Sequence, residues 1–91
     1  MELKNMKLEN LKLLVLTNNQ ILLTQIEEVT TDLGEPDCKL VEPFKLNDDN
    51  TLSPWLVDIT RQNTFMIHSD KILTIVEPNS KLIEKYEDLV K

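Results

Sequence analysis

The sequence predicts a small, mainly β fold: a strongly bent, five-stranded antiparallel barrel followed by a C-terminal α-helix. Short apolar runs alternate with turn-forming residues, two of the runs are dense in β-branched and aromatic residues, and the end of the chain has helical periodicity. The 91 residues, 41% of them hydrophobic, suffice for one domain. Closure into a barrel removes strand edges that would otherwise aggregate. SH3-like, OB-like and Sm-like barrels all have about this size.

The first two strands are predicted at residues 11–17 and 21–29, which read LKLLVLT and ILLTQIEEV. Between them lie Asn18 and Asn19. Asparagine tolerates positive φ, so this pair between two apolar runs predicts a hairpin turn.

A loop and a third strand follow. Residues 30–37, TTDLGEPD, are rich in turn formers and contain the only glycine, and residues 38–46 form the strand. Pro43 cannot donate to a strand ladder, which places it at a sheet edge or at a bulge. Residues 47–54 are predicted as a loop, and residues 55–59 as a loop or a brief extended piece.

The fourth and fifth strands are predicted at residues 64–68 and 72–76. Both are apolar on both faces, whereas an antiparallel strand with one solvated face alternates clearly. Their outer face or edge should therefore be covered by the C-terminal helix or by another subunit.

The last element is predicted as a helix over residues 79–90. Pro78 ends the preceding strand, and Asn79 or Ser80 can cap the helix. Its apolar residues recur at helical spacing: Leu82, Ile83, Tyr86, Leu89 and Val90. A short N-terminal helix is predicted around Leu3, Met6 and Leu11. The chain is thus read as a single domain over residues 1–91, with the barrel at 11–77.

Composition narrows the function classes. The net charge is −6, and residues 27–58 hold nine acidic residues against two lysines, which disfavours contact with phosphate backbones. One cysteine, Cys38, excludes an intrachain disulfide and fits a reducing compartment. No apolar run is long enough to span a membrane, and the start of the chain lacks signal-peptide features. We therefore expect a soluble, cytoplasmic protein with no membrane partner.

One segment resembles the second motif of the Sm and Sm-like proteins, which include bacterial Hfq. That motif has the form I-R-G-x-x-I-x-x-I at the junction of strands four and five. Residues 67–75 read I-H-S-D-K-I-L-T-I, so the apolar frame matches while His68 and Ser69 replace arginine and glycine. The chain has no alanine and much Leu, Lys, Ile and Asn, a bias typical of an AT-rich genome that fits a divergent, phage-like member.

The first motif of that family has a partial counterpart. Residues 16–19, L-T-N-N, resemble its L-K-N-G turn, and Val29 stands where the family has an apolar or aromatic residue. Thr30 replaces the aspartate that follows there, and the loop after it is longer and more acidic. The resemblance covers about residues 11–77, and its helix is C-terminal where the family usually has an N-terminal one.

The resemblance implies a homo-oligomeric ring in which strand 64–68 of one copy pairs with strand 72–76 of the next. It also implies noncatalytic binding of single-stranded RNA near the pore. By position, the RNA contacts fall on Thr30, Asp32, His68, Ser69 and Lys71. His68 would stack a base and Lys71 would meet a phosphate. The alternative is a ring-forming scaffold or protein-interaction module without RNA binding.

Other interpretations of single residues stay open. His68 is a base-stacking residue or an ordinary turn or interface residue; catalysis or metal binding would need partners that the sequence does not offer. Trp55 is either a loop anchor or an exposed contact for a partner protein. The acidic residues between Glu27 and Asp37 match no calcium-loop pattern and predict a solvated loop. We expect no enzyme activity, no cofactor and no metal site.

Overall fold

The computed structural model describes residues 10–56 and 59–90. Its strands are β1 (Leu11–Leu16), β2 (Ile21–Glu28), β3 (Cys38–Leu46), β4 (Leu52–Pro54), β5 (Thr64–Ile67) and β6 (Ile72–Val76). A 3-10 turn, Ser69–Lys71, joins β5 to β6, and the helix α1 (Ser80–Val90) follows β6. The predicted N-terminal helix around Leu3 and Met6 lies outside the described residues.

The strands form one antiparallel sheet in the order β4-β3-β2-β1-β6, with β5 also pairing with β3. The mainly β class and the C-terminal helix are confirmed. The expectation of five strands closed into a barrel requires correction, because the sheet has six strands and is open. The additional strand is β4, which lies in a segment predicted as a loop. A tight turn, in which the Asn47 amide donates to the carbonyl of Thr51 at 2.8 Å, folds β4 back onto the end of β3.

A bulge bends the sheet where β2 pairs with β3. The register shifts between Leu23 and Gln25, and on the facing strand Glu42 adopts a positive φ of 53°. A bulge adds residues to one strand and increases its local twist. The first part of β3 pairs with β5, and the part after Pro43 pairs with β4. Pro43 therefore marks a bulge, one of its two predicted placements, in a strand with neighbours on both sides.

The core consists of two clusters on opposite faces of the sheet, because neighbouring side chains in a strand alternate between faces. One cluster contains Leu11, Leu23, Phe44 and Tyr86, and α1 covers it. The other contains Leu14, Leu16, Leu22 and Leu40, packed against by side chains that include Trp55, Phe65 and Ile72. Both faces of the central strands therefore pack against apolar side chains.

Tyr86 joins the helix to the bulge. Its side chain is fully buried and packs edge-on against Phe44 with ring centroids 5.6 Å apart. Its hydroxyl accepts a hydrogen bond from Gln25 Nε2 at 3.1 Å and can donate to the carbonyl oxygen of Glu42 at 3.0 Å or of Val41 at 3.2 Å. Buried carbonyls of an irregular strand need such donors, so the helix satisfies the bulge that bends the sheet.

The start of α1 also agrees with the sequence. Asn79 caps it, since its Oδ1 accepts the Leu82 amide at 2.9 Å. The predicted apolar stripe packs on the sheet through Leu82, Ile83 and Tyr86, although Leu89 is exposed. None of the helices described in residues 10–56 and 59–90 is long and apolar enough to cross a membrane.

Candidate functional site

The turn between β5 and β6 is one half of the predicted site. His68 is extended, with φ −79° and ψ 136°, and its carbonyl accepts the Lys71 amide at 3.1 Å to close the 3-10 turn. The carbonyl of Lys71 in turn accepts the Thr17 amide at 2.9 Å. No side chain of the turn itself caps its first amide. The polar tetrad at residues 68–71 is therefore a tight connection anchored to the end of β1.

Asp37 supplies the missing cap from the β2–β3 loop. Its Oδ1 accepts the Ser69 amide at 2.8 Å, and its Oδ2 accepts the Ser69 hydroxyl at 2.9 Å. These two hydrogen bonds stabilise the charged carboxylate and hold the pKa of Asp37 below its usual value. We call this contact the Asp37–Ser69 clasp. It fixes the β2–β3 loop to the β5–β6 turn across 32 residues of sequence.

The β2–β3 loop itself has a closed base and an ordered tip. At the base, the Val29 amide donates to the carbonyl of Asp37 at 3.0 Å. At the tip, the Glu35 amide donates to the carbonyl of Asp32 at 3.0 Å, and Gly34 has a φ of 88°, which side chains with a Cβ rarely adopt. The single glycine of the chain is thus at the position where this turn requires it.

A shallow groove of about 230 Å³ lies where loop and turn meet. Of the five residues predicted to contact RNA, His68 and Ser69 line this groove. Thr30, Asp32 and Lys71 are exposed but do not line it. The other lining residues include Glu35, Asp37 and Asp70. The groove therefore holds three carboxylates beside one histidine, an arrangement that repels phosphate.

The role of Asp37 was not foreseen from the sequence. In the sequence Asp37 is one member of an acidic run, and nothing local to it points to Ser69. Within the described residues, no three His, Cys, Asp or Glu side chains are arranged to hold a metal ion. The acidic side chains at the ends of β2 and in the loop after it are mostly solvent-exposed.

The edge strand β6 is a second surface of interest. Leu73, Ile75 and Val76 are 62%, 53% and 43% exposed, although all three are large apolar residues. The sequence predicts that either the C-terminal helix or another subunit covers this strand. The helix α1 does not cover it, because it packs on Leu11, Leu23 and Phe44 instead. Beside β6 runs a groove of about 360 Å³ lined by residues of β6 together with Lys12, Ile26, Glu28, Cys38 and Ser69.

A third surface surrounds Trp55. The indole packs edge-on against Phe65 with centroids 5.4 Å apart, and its Nε1 donates to Gln20 Oε1 at 3.2 Å. This packing supports the anchor reading of Trp55. The indole also lines an open groove of about 350 Å³ together with Gln20, Lys45, Asn47, Ser53, Pro54, Leu56 and Ile59. Trp55 is thus an anchor that keeps part of its surface available.

Comparison with known proteins gives a family without an assigned activity. No curated protein matches the chain. Residues 9–91, which include every strand, the helix and all three surfaces, match a family of unknown function, DUF6561. The match covers nearly the whole chain, and the protein therefore belongs to the DUF6561 family.

Proposed function

We propose that the protein is a non-enzymatic, Sm-like subunit that assembles with copies of itself through its two sheet edges. In this assembly, β5 of one copy lies against β6 of the next. The observation that supports the proposal best is the exposed apolar edge at β6, where Leu73 and Ile75 are more than half exposed. Proteins rarely leave an apolar strand edge open, because it pairs with any available strand.

The topology suits repeated assembly. β6 is the last strand on one side of the sheet, and β5 pairs only with β3 on the other side. Each copy therefore carries one edge of each kind, and contact between unlike edges makes a heterologous interface. Such an interface closes into a ring if the rotation between copies closes.

The side chains at the two edges suit burial. β5 adds Met66, which is 44% exposed, to the apolar residues of β6. The groove beside β6 leads toward Ile26 and Cys38, so a neighbouring strand would extend the second core cluster. Each Å² of apolar surface removed from water contributes roughly 25 cal/mol. A domain this small gains proportionally more from such burial than a large one.

RNA binding is the second candidate. The Asp37–Ser69 clasp brings the β2–β3 loop against the β5–β6 turn, the two regions in which the Sm-like resemblance places RNA contacts. His68 would stack a base and Lys71 would contact a phosphate. The three carboxylates around His68 oppose this, and we therefore favour the scaffold role over RNA binding.

Light scattering coupled to size exclusion tests the assembly. The wild-type protein should elute as an oligomer, and Ile75→Lys should lower the measured mass, because a lysine cannot be buried unpaired at the interface. Leu89→Lys is the matched control: Leu89 is 49% exposed but lies on α1, so this variant should keep the wild-type mass. A wild-type monomer at high micromolar concentration would contradict the proposal.

A titration separates the two candidate roles. Fluorescent A-rich and U-rich oligoribonucleotides are added to the wild type and to a His68→Ala, Lys71→Ala double variant at low and moderate salt. The scaffold role predicts no saturable binding. Salt-sensitive binding by the wild type that the double variant loses would establish the RNA role instead.

A further inference from the structure

The tip of the β2–β3 loop carries an apolar side chain that is open to solvent. Leu33 is fully exposed, at the second position of the turn that Asp32 and Glu35 close. Both flanking carboxylates are exposed as well. An ordered turn from a closed base gives Leu33 a fixed position, so that little conformational entropy is lost when it binds.

The groove around Trp55 has the opposite character. Its apolar lining comes from Trp55, Leu56 and Ile59, beside polar residues of β3 and β4 and the turn between them. Lys45 is the only charged residue among the described residues that line it, and forms no ion pair with any described carboxylate. Lys45 therefore supplies a positive charge beside the apolar side chains of the groove.

The hydrogen-bonding groups of the groove also favour an anionic occupant. Gln20 Oε1 already accepts from the Trp55 indole at 3.2 Å, and Ser53 Oγ accepts from Asn47 Nδ2 at 3.3 Å. Two acceptor oxygens are therefore occupied, whereas the Lys45 ammonium remains available as a donor. A carboxylate beside a branched apolar side chain would match both parts of the groove.

The loop of a molecule cannot enter its own groove. Gln20 and Lys45 lie at the end of the β2–β3 hairpin opposite to the loop tip. β2 has eight residues, and at about 3.4 Å per residue it separates the two ends by roughly 25 Å. Contact between them requires a second molecule.

We propose that the groove around Trp55 and Lys45 of one copy receives Leu33 of a second copy, with Asp32 or Glu35 of that copy placed against the Lys45 ammonium. The interface is head-to-tail along the strands. Edge pairing of β5 with β6 joins copies across the strands, so the two contacts use different surfaces. This contact goes beyond the proposed assembly and does not depend on it.

The test uses two variants of the full chain: a receptor, which offers the groove, and a donor, which offers the loop. Both carry Ile75→Lys, which blocks edge pairing. The receptor carries Leu33→Ser, which disables its own loop, and retains Trp55, the only tryptophan of the chain. The donor carries Trp55→Phe, which makes it silent in tryptophan emission, and keeps its loop. Donor is titrated into receptor, and emission reports occupation of the groove. Chemical shifts of an isotope-labelled receptor provide a second measurement, with an unlabelled Lys45→Gln donor if Trp55→Phe does not fold.

We expect a saturable change that weakens as salt rises. Adding Leu33→Ser to the donor should weaken binding at least about tenfold, because a buried leucine contributes most of the apolar contact. Lys45→Gln in the receptor should weaken binding and remove most of its salt dependence, whereas Lys81→Gln on α1 should change neither. No change in emission or shifts, or an equal change with the Leu33→Ser donor, would overturn the proposal. Light scattering of Leu33→Ser, in which the loop contact is removed, with and without Ile75→Lys then decides edge pairing separately.

Discussion

We expect the Tyr86 hydroxyl to contribute more to the free energy of unfolding than any other single polar atom of the fold. The substitution Tyr86→Phe tests this contribution. The ring and its packing on Phe44 are kept, and only the hydroxyl is removed. That hydroxyl accepts from Gln25 and donates to a carbonyl of the bulge in a fully buried place. A buried carbonyl left without its donor costs about 1–3 kcal/mol.

The loss is large enough to measure in a domain of this size. For 60–100 residues, each 1 kcal/mol shifts Tm by about 4–8 °C, so Tyr86→Phe should lower Tm by at least about 4 °C. Urea unfolding followed by circular dichroism gives the free energy directly. Glu84→Ala, an exposed change on the same helix, should stay within about 0.5 kcal/mol of the wild type. A Tyr86→Phe loss as small as that of Glu84→Ala would refute the reasoning.

Alkaline pH provides an independent check of the same hydroxyl. Burial raises the pKa of Tyr86 to about 12, whereas an unfolded tyrosine ionises near 10. The unfolded chain therefore loses its phenolic proton first. The contribution to stability is complete below pH 10 and falls by about 2–3 kcal/mol in total as pH rises to 12. Tyr86 is the only tyrosine, so its ultraviolet titration is unambiguous, and Tyr86→Phe should lack this part of the alkaline decline.

Three further results are expected. Asp37→Asn should make the Ser69 amide exchange faster in hydrogen exchange. In the wild type the clasp should weaken only as pH falls below about 3.9, the pKa of an unfolded aspartate, because the pKa of Asp37 in the folded protein is lower still. Leu56→Asn should raise Tm in calorimetry, since Leu56 has a φ of 59° and a left-handed leucine costs about 1–2 kcal/mol. Cys38 should react with thiol reagents far more slowly in the folded than in the urea-unfolded protein, because burial, and then the charges of Asp37 and Glu28, raise its pKa. Equal rates in the two states would contradict the burial of Cys38.

Features with a local cause were predictable from the sequence. Asn19 takes a φ of 70° in the predicted hairpin turn, Asn79 caps the predicted helix, and Pro43 lies at a bulge. Each follows from the conformational preferences of one or two residues. The bounds of β1, β2 and β3 follow in the same way from runs of apolar residues.

Features that depend on distant partners were not predictable. The Asp37–Ser69 clasp and the Gln25–Tyr86 hydrogen bond join residues 32 and 61 positions apart, and neither residue of either pair signals the other. β4 is three residues long and depends on pairing with β3, so no periodicity reveals it. The closed barrel was inferred from the number of strands, whereas closure depends on whether the two edges meet.

The two-faced sheet has a consequence for cooperativity. β1 and β2 contribute to both clusters, with Leu11 and Leu23 on one face and Leu14 and Leu22 on the other. Neither cluster can therefore melt while the strands that it shares with the other remain ordered. Tyr86 belongs to the first cluster and Trp55 packs on the second, so each cluster has one chromophore. Tyrosine absorbance and tryptophan emission should report a single, superimposable unfolding transition.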